Sequence, residues 1–213
     1  MYNSGMNLVI SVIVVLTLIC ISELLWRQRD INPEYTRKFV HISAGTFVAF
    51  WSLYLSRNQI LLLSAGFVLV VAISRYTKFF KAIHSVQRPT WGELFFAVAV
   101  GVLAYVADSH WIYSSALLIM SVADGMAAII GMKFGKSNRY TIFGYAKSLA
   151  GTLSFFIVTM IIFTVFVIFT PGIYSVWFIG IALVATALEN VSIRGLDNLI
   201  VPLFVAVTLN AVH

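Results

Sequence analysis

The sequence contains a succession of apolar runs, each about twenty residues long, separated by short polar segments. A run of this length is what an α-helix needs to cross the hydrocarbon core of a membrane. The strict alternation of apolar and polar residues that a membrane β-barrel requires is absent from the chain. With 61% hydrophobic and 10% charged residues, the chain is predicted to be an all-α polytopic membrane protein.

Eight transmembrane helices are predicted, and residues 1–213 are expected to form a single transmembrane domain. The first apolar run lacks a basic leader and ends near Glu23 and Trp26, so it is interpreted as a helix rather than a cleaved signal peptide. The single cysteine, Cys20, lies in this run and excludes a disulfide framework. The predicted spans are 5–25, 37–55, 59–74, 92–107, 110–131, 148–170, 173–190 and 196–212.

The basic residues predict the orientation of these spans. Every lysine and arginine except Arg57 falls in or beside the loops that follow the odd-numbered spans. Because an excess of Lys and Arg marks cytoplasmic loops, both termini are predicted to lie outside. The net charge of +6 is explained by this topology and requires no nucleic-acid partner.

Five acidic residues lie at or within span ends on the same predicted face, where a carboxylate is costly without a partner or a cation. Their convergence on a basic rim predicts a site for a polyanion and a divalent metal. These acids are Glu23, Glu93, Asp124, Glu189 and Asp197.

The segment SVADGMAAIIGMKFGK, residues 121–136, allows two interpretations. Asp124, Gly131 and Gly135 share one helix face, which is typical of a small-residue packing seam. The alternative is a groove for a phosphate chain, with Asp124 as a metal ligand. Packing explains the glycines but not the aspartate. The lysines that would stand at the mouth of the groove are Lys133 and Lys136.

Basic residues also lie at two predicted helix starts. Arg37 and Lys38 open span two, and His41 follows one turn later in EYTRKFVHISAG. This cluster could anchor the helix to anionic lipid or, at a helix N-terminus, bind an anion. Lys147, at the predicted start of span six, could extend towards the membrane surface or contact a phosphate.

The segment ENVSIRGLDNLIVP, residues 189–202, combines Glu189 with Asp197 and Asn198. Asp197 could simply cap span eight. The three side chains also supply the oxygen ligands that Mg²⁺ prefers. Glu93, in the segment TWGE, is placed on the same side of the membrane.

Taken in order, these motifs resemble those of the CTP-dependent lipid kinases. This group contains dolichol kinase, phytol and farnesol kinase and yeast-type diacylglycerol kinase, and it is distantly related to phosphatidate cytidylyltransferase. One departure is that Ala150 and Thr152 stand where the family often has Glu and Ser. The motifs, which cover nearly the whole chain, are Glu23, 37-RKFVHISAG-45, 90-TWGE-93, 124-DGMAAIIGMKFGK-136, 147-KSLAGT-152 and 189-ENVSIRGLDNLIVP-202.

The resemblance implies a single catalytic domain that uses CTP and Mg²⁺ to phosphorylate a membrane lipid alcohol at the cytoplasmic face. The C-terminal motif looks most like the phytol and polyprenol branch, and the short chain suggests a prokaryotic cell membrane. Together with the segments described above, the resemblance assigns Asp124, Glu189, Asp197 and Asn198 to the metal. It leaves the proton acceptor open among Asp124, His41 and Glu93. The residues assigned to the nucleotide are Arg37, Lys38, Gly131, Lys133, Gly135, Lys136, Lys147, Ser148 and Gly151.

Three alternatives stay open at this stage. A diacylglycerol kinase would share every motif, and a synthase of CDP-lipids would use the same nucleotide but release pyrophosphate. A small-molecule transporter is the non-enzyme alternative, and it would predict internal repeats and charges near the middle of the membrane. The clustering of charges on one face favours an enzyme. The sequence does not indicate an oligomeric state.

Overall fold

The computed structural model describes residues 4–27, 33–77, 90–170 and 176–212. Within these residues the chain forms eight α-helices and one β-hairpin. Predicted loop residues Arg29, Lys78, Lys81 and Arg88, and the start of the predicted span 173–190, lie outside this part of the chain. The helices are α1 Ser4–Arg27, α2 Pro33–Ala49, α3 Arg57–Thr77, α4 Gly92–Val106, α5 His110–Phe134, α6 Leu149–Phe169, α7 Val176–Val191 and α8 Asp197–Val212.

Four of these helices, α1, α3, α5 and α6, are long and apolar enough to cross a membrane by length and composition. Helices α4, α7 and α8 are shorter apolar helices. The mostly helical architecture agrees with the predicted fold class, whereas the number of spans stays a prediction. Helix α2 begins earlier than predicted, at Pro33, and ends at Ala49, where a short 3₁₀ turn (Trp51–Leu53) continues the apolar run. Hydropathy alone does not distinguish that turn from a helix.

A β-hairpin between α5 and α6 was not predicted from the sequence, although the described chain is mostly helical. Strand β1 (Arg139–Ile142) pairs antiparallel with β2 (Tyr145–Ser148). Phe143 and Gly144 both have positive φ, as a two-residue type I′ turn requires. Strands of four residues carry too little alternation to be recognised in a sequence.

The sixth helix begins at Leu149, one residue after its predicted start, and the hairpin occupies the residues just before it. Lys147, expected at a helix start, lies in β2. Ser148 caps α6 instead, because its hydroxyl accepts a hydrogen bond of 3.1 Å from the Gly151 amide. A serine at this position satisfies one of the free amides of the first helical turn.

Helix α5 lies at the centre of the molecule and packs against α2, α6 and α8. Its buried residues include Tyr113, Leu117 and Met120. A π-helical turn, Ile119–Ala123, interrupts it just before Asp124. Such turns are rare in proteins, and those that occur often lie at functional sites.

Glycines permit α2 and α5 to approach closely at this turn. A β-carbon on Gly45 would overlap the Ser121 side chain, and one on Gly125 would overlap Ile42. Both helices therefore need a glycine at the point of contact. The approach places Lys38 and His41, which precede these contacts on α2, beside Asp124.

Candidate active site

A cavity of about 740 Å³, lined by many charged side chains, opens among α2, α5, the hairpin, α6, α7 and α8. This volume lies within the range typical of small-molecule sites. Five lining side chains are basic and four are acidic, so the cavity combines dense charge of both signs. They are Arg37, Lys38, Arg139, Lys147 and Arg194, and Glu34, Asp124, Glu189 and Asp197.

Asp124 and Lys38 form a buried ion pair at one end of this cavity. Lys38 Nζ donates to Asp124 Oδ2 at 2.5 Å, and the two side chains are only 7% and 11% exposed. A charge this deep is tolerated only when it is paired. The sequence separation of 86 residues means that the fold, not a local motif, creates the pair.

His41 lies beside the same carboxylate. Its Nε2 is 3.1 Å from the Met120 carbonyl oxygen and 3.4 Å from Asp124 Oδ2. Because a carbonyl oxygen can only accept, the proton of a neutral imidazole is on Nε2 in this contact. The ring nitrogen left as an acceptor is then Nδ1.

Lys147 and Glu189 form a second ion pair on another wall of the cavity. Lys147 Nζ donates to the Glu189 carboxylate and, at 3.0 Å, to the Glu189 backbone carbonyl. Burial lowers the pKa of Lys147, but the Glu189 carboxylate more than offsets this and holds the pKa above its ordinary value. Lys147 is therefore positively charged at neutral pH.

The segment that contains Glu93 is held against the turn that precedes α8. The Trp91 amide donates to the Arg194 carbonyl, and Asn198 Nδ2 donates to the Gly92 carbonyl, both at 2.9 Å. Gly195 has φ +87°, and a β-carbon there would lie 2.5 Å from Gly92 Cα. This turn therefore requires glycine on both conformational and steric grounds.

The two sides of the Asn198 amide have different roles. Its nitrogen is used in the contact with Gly92, whereas its Oδ1 is buried and has no hydrogen-bond partner among the described residues. Buried polar atoms are nearly always satisfied. An unpartnered amide oxygen at the edge of a charged cavity is therefore available to a ligand.

Glycines of α5 and α6 form the packing seam that the sequence suggested. A β-carbon on Gly131 would lie 2.9 Å from Ser148 Oγ, and one on Gly151 would lie 2.9 Å from the Ala127 carbonyl oxygen. Gly131 and Gly151 also line the cavity. The seam thus keeps the cavity wall free of side-chain bulk.

Most of the residues singled out in the sequence meet at the main cavity. His41 and Glu93 instead line a smaller neighbouring cavity, which also contacts Arg37 and Asn198. Lys133 and Lys136 are exposed and do not line either cavity, and Gly135 is buried against Ser148. The residues at the main cavity are Arg37, Lys38, Asp124, Gly131, Lys147, Ser148, Gly151, Glu189, Asp197 and Asn198.

The sequence did not indicate several residues that the fold adds. Arg139 and Arg194 line the cavity, although they were noted only as loop charges. The Tyr140 hydroxyl donates to Asn190 Oδ1 at 2.6 Å and contacts Thr152, which links the hairpin to α6 and α7. Only recognition of the hairpin would have pointed to Tyr140.

The donor set fits a Mg²⁺ ion that enters together with phosphates. Among the described residues there is no group of three or more His, Cys, Asp or Glu side chains that could hold a metal alone. Protein sites for Mg²⁺ commonly supply only one or two carboxylates, and phosphates and water complete the shell. Asp124, Asp197 and the free Asn198 Oδ1 border one cavity, which meets that requirement.

Comparison with known proteins identifies the family. No family model and no solved structure matches the chain. The phytol kinase of Synechocystis sp. is 33% identical over 190 residues, which cover 85% of this chain and 81% of that protein. An uncharacterized protein of Methanocaldococcus jannaschii is 26% identical over 188 residues, which cover 83% of this chain and 93% of that protein. With its apolar helices and this extended similarity, the protein belongs to the phytol kinase family of lipid alcohol kinases and is a membrane protein.

Proposed function

We propose that the protein transfers the γ-phosphate of CTP to the hydroxyl of an isoprenoid alcohol of the phytol or polyprenol (dolichol) type. The observation that carries this proposal is the main cavity, where two lysines and three arginines face the space that a triphosphate would need. The choice of CTP rests on the resemblance of the motifs to CTP-dependent lipid kinases. The choice of an isoprenoid alcohol rests on the similarity to phytol kinase.

Nucleotide binding is coupled to metal binding through the two ion pairs. The phosphates of CTP replace Asp124 and Glu189 as partners of Lys38 and Lys147. Asp124, with Asp197 and Asn198 Oδ1, would then be available as oxygen ligands for Mg²⁺. A bound Mg²⁺ supplies charge neutralisation on the phosphates. CTP and Mg²⁺ should therefore bind cooperatively.

The transfer needs positioning and electrostatic stabilisation more than covalent chemistry from the protein. The hydroxyl oxygen of the lipid attacks the γ-phosphorus, the bond to the β–γ bridging oxygen breaks, and CDP leaves. The hydroxyl proton passes to a protein base. Because Asp124 is proposed to bind the metal, His41 and Glu93 are the stronger candidates for that base.

The cavity is proposed to face the cytoplasm, where CTP is available, with both termini outside. The distribution of lysines and arginines supports this orientation. The cell membrane of a prokaryote is the proposed location. Cysteines introduced near Ser4 and near Val212, labelled from either side of the membrane, would establish the sidedness of the termini.

The activity is tested with purified protein in detergent, γ-labelled CTP and phytol. We expect one CDP for each phytyl phosphate formed, dependence on added Mg²⁺, and loss of transfer with EDTA. Equal transfer from ATP would refute the nucleotide assignment. Release of pyrophosphate with a CDP-lipid would indicate a cytidylyltransferase, and preference for diacylglycerol over phytol would indicate a diacylglycerol kinase.

A further inference from the structure

A second cavity, of about 100 Å³, lies among α1, α2, α3 and α4. It adjoins the main cavity, because Arg37 and Asn198 line both. Most of its wall is apolar, in contrast to the charged wall of the main cavity. The apolar lining residues are Val15, Ile19, Val40, Ala44, Phe67 and Phe96.

Besides the shared residues Arg37 and Asn198, three polar side chains interrupt this apolar wall. Thr36 is 4% exposed, and its hydroxyl has no hydrogen-bond partner among the described residues. His41 uses Nε2 for the Met120 carbonyl, so Nδ1 is the ring nitrogen left to accept a hydrogen bond. Glu93 completes the set. An apolar wall with a few convergent polar groups is typical of a site that orients a small ligand.

We infer that this second cavity binds the hydroxyl end of the acceptor lipid. This inference rests on the proposed kinase function. The apolar wall accommodates the first carbon atoms of the lipid, and the Thr36 hydroxyl hydrogen-bonds to the alcohol oxygen. The shared residues Arg37 and Asn198 mark the boundary across which the γ-phosphate moves to that oxygen.

The size of the cavity limits what it holds. At about 100 Å³, it is smaller than the roughly 150 Å³ of a cavity known to bind benzene. It therefore takes the alcohol group and a few carbon atoms, and the remaining tail extends into the bilayer past α1 and α3. Helix α1 exposes a largely apolar surface, since only 12% of its apolar span is buried. It therefore does not enclose the tail.

The same placement offers two acceptors for the hydroxyl proton, which is released as the alcohol oxygen forms its bond to the γ-phosphorus and CDP departs. One is His41 Nδ1, because Nε2 contacts the Met120 carbonyl oxygen. The other is the Glu93 carboxylate, which lines the same cavity.

Replacement of Thr36 by valine tests the role of the hydroxyl at nearly constant side-chain volume. Because the bound alcohol loses this hydrogen bond, the variant should have a KM for phytol that is roughly tenfold higher. The KM for CTP should not change and the melting temperature should not fall, because the hydroxyl makes no hydrogen bond to another described residue. An unchanged KM for phytol would refute a contact between Thr36 and the alcohol.

A matched pair of tryptophan variants tests the apolar wall. Val15 lines the second cavity, whereas Val12 lies on the same helix and is 36% exposed. Val15→Trp should raise the KM for phytol at least tenfold without changing the KM for CTP, because it fills the space proposed for the first carbons. Val12→Trp should change neither. Equal effects of the two variants would contradict the inferred site.

Photocrosslinking tests the site without any catalysis. A phytol analogue with a diazirine close to the hydroxyl, irradiated with the protein in the absence of nucleotide, should label residues around the second cavity, such as Ile19 and Phe67. Val15→Trp should suppress this labelling. Labelling spread evenly over exposed residues such as Leu62 would refute the site. Specific labelling together with no phosphate transfer from CTP would instead refute the proposed function.

Discussion

Replacement of Asp124 by asparagine should destabilise the protein strongly, because Lys38 would keep a buried positive charge without a partner. The two side chains are only 7% and 11% exposed, and their charged atoms lie 2.5 Å apart. Removing one member of a buried pair costs about 3–5 kcal/mol. For a chain of this size, that corresponds to a fall in melting temperature on the order of 10 °C.

The more exposed ion pair between Glu34 and Arg37 provides the control. Glu34 and Arg37 are three residues apart on α2, and their side chains are 30% and 22% exposed. Pairs that water can screen contribute about 0–1 kcal/mol. Glu34→Gln should therefore lower the melting temperature by far less than Asp124→Asn, although both changes remove one carboxylate charge.

The decisive measurement compares Asp124→Asn, Lys38→Met and the double variant in the same detergent. The double variant removes both buried charges, so most of the lost melting temperature should return. Phosphate transfer should not return, because both side chains are proposed to contact the substrates or the metal. A double variant as unstable as either single variant would refute the pairing argument. Full transfer activity in Asp124→Asn would refute the metal role.

Three further predictions follow from the same geometry. Lys147→Met should raise the KM for CTP at least tenfold, since a charge-assisted contact to phosphate is lost. Lys133→Met should leave the KM for CTP unchanged, because Lys133 lies outside the cavity. Equal effects of the two variants in a CTP titration would contradict the proposed site. Gly151→Ala should destabilise the protein by about 1–3 kcal/mol, because its β-carbon would lie 2.9 Å from a carbonyl oxygen. Gly180→Ala should be neutral or stabilising, because no atom of the described residues lies within 4 Å of a β-carbon there. Thermal melting checks both variants, and equal shifts would exclude the seam. His41→Ala should lower kcat by about 10²–10⁴ and remove the acidic limb of the pH–rate profile; a variant that keeps that limb would exclude His41 as the base.

The sequence by itself determined the helical, membrane-embedded class of the fold. Apolar runs long enough to span a bilayer allow few alternatives, because the backbone of a spanning segment must satisfy its own hydrogen bonds in lipid. The uneven distribution of lysines and arginines predicts the orientation. Acidic residues such as Asp124 and Glu189 were also apparent as site candidates, because a carboxylate in a long apolar run is costly unless it has a partner.

Only the tertiary structure decided which partner each of these residues has. Helical periodicity assigns a residue to a face, but it does not tell which helix will pack on that face. The Lys38–Asp124 pair joins residues 86 positions apart, and the contact of Asn198 with Gly92 joins residues 106 positions apart.

The same limitation explains why Lys133 and Lys147 looked equivalent in the sequence. Both lie at the border of a predicted span, Lys133 after span five and Lys147 at the start of span six, with glycines nearby in the sequence. A hairpin of two four-residue strands turns Lys147 towards Glu189, whereas Lys133 lies at the exposed end of α5. So short a hairpin leaves almost no periodic signal, and its position depends on the contact of Tyr140 with α6 and α7. The sequence therefore indicated which charged residues need a partner. The packing of the helices with the hairpin determined which of these residues pair.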